Sequence, residues 1–163
     1  MSSFDIQSAY VRGKTKGYIV DVVTRESLVF QHNPDEITDD KSTDFATIKV
    51  PGMSHPRYQY VSGEARKISF KLSLFKGPVK QKVAWLQSLL YPQHEKTMLR
   101  NAPHKVLFFF GELYPGTLCI VRQVRTRYFH MFDADSLLPQ HAEVDLSLEE
   151  IVQRSVDFTQ VRR

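Results

Sequence analysis

Cysteine is nearly absent from this chain. Its single copy, Cys119, cannot close an internal disulfide, so sulfur does not staple the fold and no cysteine cluster can hold a metal. A lone thiol fits synthesis in a reducing cytoplasm. Long apolar runs are missing too: no stretch approaches the ~18 residues that a membrane span needs, and Met1 to Gly17 has no apolar leader segment. The expectation is a protein that is soluble when made and has no membrane partner. Seven Gly and eight Pro are too few for a fibrous or disordered chain. Charge is not strongly one-sided: twenty-two Lys and Arg against eighteen Asp and Glu leave +4. Much of that excess sits in Arg122 to Arg127 and in Arg162 and Arg163, which carries little weight for nucleic acid.

Catalytic motifs are also lacking. The sequence holds no P-loop, dinucleotide fingerprint, G-x-S-x-G or H-E-x-x-H. His32, His55, His94, His104, His130 and His141 fall on separate turns or strand ends, without the close spacing of a helical metal pair. Glu149 and Glu150 are adjacent on a strand, where successive side chains point to opposite faces, so they do not form an acid/base pair. Cys119, between Leu118 and Ile120, reads as a small hydrophobe rather than a nucleophile. The reading is a non-enzyme with no catalytic, metal or cofactor residues.

What is there is β-pattern. Tyr18 to Val23 and Ser27 to Gln31 read as a hairpin, followed by turn chemistry at His32 to Asp35. Glu36 to Thr43 is acidic and reads as a loop into the run Phe45 to Val50. Pro51-Gly52 breaks that run, and Arg57 to Val61 is extended again. Ile68, Phe70, Leu72 and Leu74 alternate with polar residues, the period-two signature of a half-buried strand, and Ala142, Val144, Leu146 and Leu148 repeat it. Between these, Val79, Val83, Leu86 and Leu90 recur at helical spacing, bounded by Pro78 and Pro92, which predicts one flanking helix over about 79–91. Residues 93–104 read as a polar connection. Lys105 to Phe110 reads as a doubly buried strand, and Leu118 to Tyr128 as a strand whose apolar residues change face near Arg122, at a bulge or an exposed extension. The fold class is mainly β: a barrel or sandwich of about seven strands closed on one side by a helix. Residues 1–16 are expected to be an extended arm and 17–163 a single domain.

Two charged groups are candidate subunit contacts. Asp35, Glu36, Asp39, Asp40 and Asp44 form an acidic stretch without the glycine and ligand spacing of a calcium loop. Arg122, Arg125 and Arg127 are either a solvated strand face, charges that meet the acidic stretch of a neighbour, or, with Tyr128 and Phe129, a nucleic-acid-binding surface.

The stretch Leu28 to Phe75 resembles the contractile injection system tube-protein family of phage tail-tube and baseplate-hub proteins. The resemblance rests on Val29-Phe30-Gln31-His32-Asn33-Pro34-Asp35-Glu36, Val50-Pro51-Gly52-Met53-Ser54-His55-Pro56, Tyr60-Val61-Ser62-Gly63 and Ala65-Arg66-Lys67-Ile68-Ser69-Phe70, in that order. Gly116 to Tyr128, Phe132, Pro139 and Ala142 to Glu149 are similar to the family's closing strands. The family often continues into a LysM module, to which no residue here corresponds, so the resemblance is to the tube-like domain alone. It implies a split β-barrel or sandwich whose subunits pair strand edges into a homo-oligomeric ring, a hexamer or else a trimer, around a channel. The implied role is a structural component of a virion tail, a tube initiator or hub adaptor among tail tube, hub and spike proteins. DNA or effector would pass through it passively. The protein would be made in the host bacterial cytoplasm and reside in the virion. The alternative from the residues is a nucleic-acid-binding β-barrel.

Overall fold

Alternation of apolar and polar residues decides the central strands of the computed structural model, which describes residues 15–75, 77–129, 132–153 and 158–161. Strand β6 (Lys67–Phe75) and strand β11 (His141–Glu150) pair antiparallel over their whole length, from Lys67 opposite Glu149 to Phe75 opposite His141. Ile68, Phe70, Leu72 and Leu74 share the buried face with Ala142, Val144, Leu146 and Leu148. Around this pair the chain builds one antiparallel sheet from β1 (Tyr18–Asp21), β2 (Ser27–Val29), β3 (Ile37–Asp40), β9 (Lys105–Phe110) and β10 (Tyr114–Tyr128), in the order β2-β1-β9-β10-β11-β6-β3. Eleven strands against two short helices make the described residues mainly β.

The sheet curls. Four strands lie between β2 and β6 in the sheet order, yet Phe30, just past β2, packs on Phe70 of β6 with ring centroids 5.7 Å apart. Phe70 in turn stacks on Phe108 of β9 at 4.9 Å, and Phe108 meets Tyr114 at 5.0 Å. The Phe75 amide donates to Gln31 Oε1 at 2.7 Å. Side chains rather than a hydrogen-bonded ladder thus bring the two ends together, which leaves a barrel open between β2 and β3.

Helix α1 (Val79–Ser88) covers β6, β10 and β11, burying Val79, Val83 and Leu86. Pro78 precedes the first turn, where its missing N–H costs nothing. The helix is shorter than its apolar spacing predicts: the amides of Leu90 and Tyr91 bond to Gln87 and Ser88 in tighter turns before Pro92. Trp85 Nε1 donates to Glu26 at 2.9 Å and ties the helix to the β1–β2 turn. Lys82 is largely buried on α1, and desolvation pushes its ammonium pKa down.

Other expectations are corrected. Ile37–Asp40 of the stretch read as an acidic loop is an edge strand on β6. The connection 93–104 contains a hairpin, β7 (Gln93–Glu95) and β8 (Met98–Asn101), paired only to each other. Strand β9 is fully buried on one face only, through Val106 and Phe108. The bulge near Arg122 is present, as a register shift between Val121 and Gln123. A one-turn helix α2 (Phe158–Val161) closes the described residues. The N-terminal arm expected over 1–16 lies, up to residue 14, outside them. Thr15 and Gly17 are tied to Asn33, whose side chain donates to the Thr15 carbonyl and accepts from the Gly17 amide.

At the far end of β1 the buried Asp21 side chain accepts the amides of Val23 and Thr24 and bonds His104 Nδ1 at 2.6 Å. Asp21→Ala leaves the largely buried His104 ring without this partner, so the expected loss is about 1–2 kcal/mol, read as a lower urea midpoint.

Candidate assembly surfaces

Beyond Ile120, β10 leaves β9 behind. Of β10, only Tyr114 to Ile120 pair with β9, so Val121 to Tyr128 bond β11 on one side and no strand among the described residues on the other. The result is a four-stranded segment, β10-β11-β6-β3, with two open edges. One edge carries Arg122, Arg125 and Arg127. The other is β3, where Thr38 stands opposite Ser69 and Asp40 opposite Lys67.

Strand parity sorts the segment into two faces. One is the buried face under α1. The other is polar, a chequer of opposite charges separated by serines. Arg125 stands opposite Asp145 and Arg127 opposite Glu143, Arg122 Nε lies 3.2 Å from Glu149, and Lys71 lies 3.9 Å from Glu143 and 4.0 Å from Asp145. Ser69, Ser73 and Ser147 fill the positions between. Each arginine of the basic cluster therefore faces a carboxylate of its own chain.

The acidic candidates do not share one setting. Glu36 and Thr38 border a shallow depression with Lys71 and Asp145. Asp35 is exposed in the turn before β3, and Asp44 stands opposite Ser62 at the root of a separate hairpin. Asp39 is committed within the chain. Arg66 grips it through Nε and Nη2, Tyr114 donates its hydroxyl to it at 2.7 Å, and the guanidinium lies 5.4 Å over the Tyr114 ring. Glu150 sits 3.8 Å from Arg66 Nη1. The Arg66 hydrogen bond is the largest cause holding the Asp39 carboxyl below its ordinary range. The same contact raises the Arg66 pKa. Asp39 therefore clasps β3 to the barrel.

A further unpartnered surface is a hairpin that the sequence shows only as two separate β runs. Strands β4 (Thr43–Ile48) and β5 (Arg57–Gly63) pair with each other and with nothing else among the described residues, and every residue from 38 to 64 is exposed. This arm runs from Thr43 to a turn at Pro51-Gly52, where the Met53 amide bonds the Val50 carbonyl and Gly52 takes φ +83°. Phe45, Thr47, Tyr58 and Tyr60 line one face of it by register. Tyr58 is 68% exposed and Phe45 51%, with Phe45 and Tyr60 edge to face at 5.8 Å. The alternation of Tyr58 and Tyr60 with polar residues was the available signal, but alternation marks a strand and not whether its apolar face is covered.

Cys119 is fully buried, and desolvation pushes its thiol up to about 12. Among the described residues no group of three or more His, Cys, Asp or Glu is placed to hold a metal, and no helix is long and apolar enough to cross a membrane. No protein-family model matches the chain, and no curated protein matches it.

Proposed function

We propose that the chain is a structural subunit of a contractile phage tail or related injection machine. It forms a ring at the tail tube or baseplate hub, as a tube initiator or hub adaptor, around a channel for DNA or effector. The observation that carries this reading is the four-stranded segment with unlike open edges, arginine-rich on β10 and acidic on β3. Open strand edges promote uncontrolled pairing unless something covers them. Edges of opposite charge favour head-to-tail contact between copies, and head-to-tail contacts close into rings where the rotation permits. The ordered resemblance from Leu28 to Phe75 supplies the kind of ring. Arg122, Arg125 and Arg127 each face Glu149, Asp145 or Glu143, which weakens a phosphate contact and an acidic-edge contact alike, so the ordered resemblance is what favours the ring over the nucleic-acid-binding alternative. A phosphate backbone would compete with those carboxylates.

The test is native mass spectrometry with negative-stain imaging of the purified chain, alone and with tail tube and hub proteins. Rings of six or three copies are expected. The double variant Arg125→Glu/Arg127→Glu should lose them, and adding Glu36→Lys/Asp40→Lys should restore them by exchanging the sign of both edges. A strict monomer under all conditions, or rings indifferent to the first pair of changes, rejects the reading. Salt-dependent DNA binding by that monomer would favour the alternative.

A further inference from the structure

Helix α1 lays Val79, Lys82, Val83 and Leu86 against the sheet, and one of these four carries an amine. Lys82 is 9% exposed, whereas Lys80 on the same helix faces solvent. A lysine buried to this degree is ordinarily paired with an acid. The Lys82 amine has no hydrogen bond or ion pair among the described residues.

Each element packed on the helix withholds a counter-charge. Strands β6 and β11 present their apolar face, the alternate residues from Ile68 to Leu74 and from Ala142 to Leu148. On the same face of β10 the titratable groups are Cys119, fully buried, and Tyr128, 42% exposed at the strand's far end. Thr126, opposite Val144, buries its hydroxyl without a partner, so it does not serve the amine either. Glu26 reaches α1 from the β1–β2 turn, but it accepts the Trp85 indole N–H at 2.9 Å. An ammonium held in this way loses much of its hydration and gains no opposite charge, which favours the neutral amine. Desolvation accordingly lowers the Lys82 pKa. The nitrogen itself still touches solvent, unlike the Thr126 oxygen. A neutral, reachable amine is a nucleophile at a pH where an ordinary ammonium is not.

The same surroundings select the product. A carbamate, formed with carbon dioxide, would return a full charge to the apolar layer. An amide is neutral and removes the charge that the layer leaves uncompensated. Nine-tenths of the side chain is covered, so the donor must be small.

We propose that Lys82 is an acetylation site for small acyl phosphates, and that the neutral acetyl-lysine fastens α1 to the sheet. The amine nitrogen attacks the acyl carbon and an N–C bond forms. The C–O bond to phosphate breaks, phosphate leaves with the electron pair, and the proton released from nitrogen passes to water. Lys82 stands on α1 and on neither open edge of the four-stranded segment, so the inference does not rest on the ring reading.

The test is incubation of the folded full chain with acetyl phosphate from about pH 6 to 10, a range that brackets a lowered and an ordinary lysine, followed by peptide mass spectrometry. Acetylation of Lys82 is expected to set in at lower pH than acetylation of Lys80. Treatment should also raise the melting temperature of the parent by roughly 2–4 °C, and leave that of Lys82→Arg, which cannot be acetylated at this position, without that gain. Lys82→Gln is equally blocked and replaces Lys82→Arg should the latter fail to fold. An unmodified Lys82 in a chain whose Lys80 has reacted, or pH profiles that coincide for the two lysines, overturns the site. Equal gains in melting temperature for the parent and the blocked variant overturn the fastening of α1.

Discussion

Phe108→Ala is expected to cost about 3–5 kcal/mol, in the range for emptying a buried aromatic site. At this chain length the melting temperature should fall by roughly 6–20 °C. Phe108 is fully buried, and its ring lies against Phe30, Phe70, Phe110 and Tyr114, which come from both ends and the middle of the curled sheet. No ladder joins β2 to β3, so these rings hold the barrel shut. The neighbours belong to separate strands with fixed registers and cannot collapse far into the void, which places the cost near the upper part of the range. The control is Phe45→Ala on the arm, an aromatic residue of equal size that is half exposed. It should shift stability by no more than about 0.5 kcal/mol. Urea unfolding at constant m-value separates the two. Equal costs for both variants, or a cost below about 1 kcal/mol for Phe108→Ala, would show that the aromatic stack does not close the barrel.

Strands whose residues alternate and whose one face is buried within the same chain were legible from the sequence. β6 and β11 are the clearest cases, since each apolar residue of their pattern meets the core. The bulge at Arg122 was legible because the alternation breaks there. Two elements whose pattern lacks a buried side, β3 and the hairpin β7–β8, were misread, whereas the equally exposed β4 and β5 were read as extended but not as partners. The hairpin β7–β8 is exposed throughout, so no burial imposed a period on Gln93 to Asn101. Edge strand β3 has only Ile37 half-buried, and its pairing depends on Arg66 and Tyr114, which are 27 and 75 residues away from Asp39. No local pattern encodes such a partnership. The candidate contacts were legible as charges but not as geometry. Sequence order groups Asp35 to Asp44 together, whereas the fold assigns Asp39 to a clasp, Asp40 to an open edge and Asp44 to the arm.

The clasp carries the second large effect. Asp39→Ala should lower stability by about 2–3 kcal/mol, less than the ~3–5 kcal/mol typical when one partner of a fully buried ion pair is removed. The discount follows from exposure, since the Asp39 side chain is 30% exposed and that of Arg66 35%. The change leaves the Arg66 cation with only Glu150 at 3.8 Å and strips the Tyr114 hydroxyl of its acceptor. It also frees β3, so the acidic edge should lose its order along with the stability. The clasp has a pH signature at each extreme. The Asp39 carboxyl is held below its ordinary range, chiefly by Arg66, so its contribution is present above the ordinary value near ~4 and is lost as pH falls through the lowered folded value. Burial first, and then the bond to Asp39, pushes the Tyr114 phenol up to about 12. Its contribution is therefore complete below the ordinary value near ~10 and is lost as pH rises from there through the folded value. Urea midpoints measured at pH 3, 7 and 11 should show both limbs in the parent chain. Tyr114→Phe should flatten the alkaline limb while keeping the acid one, and Asp39→Ala should weaken both. Should Asp39→Ala and the parent trace parallel curves across the three pH values, the contacts of Asp39 would not fasten the edge strand in solution. The acidic end of the four-stranded segment would then lack the fixed geometry that head-to-tail pairing requires.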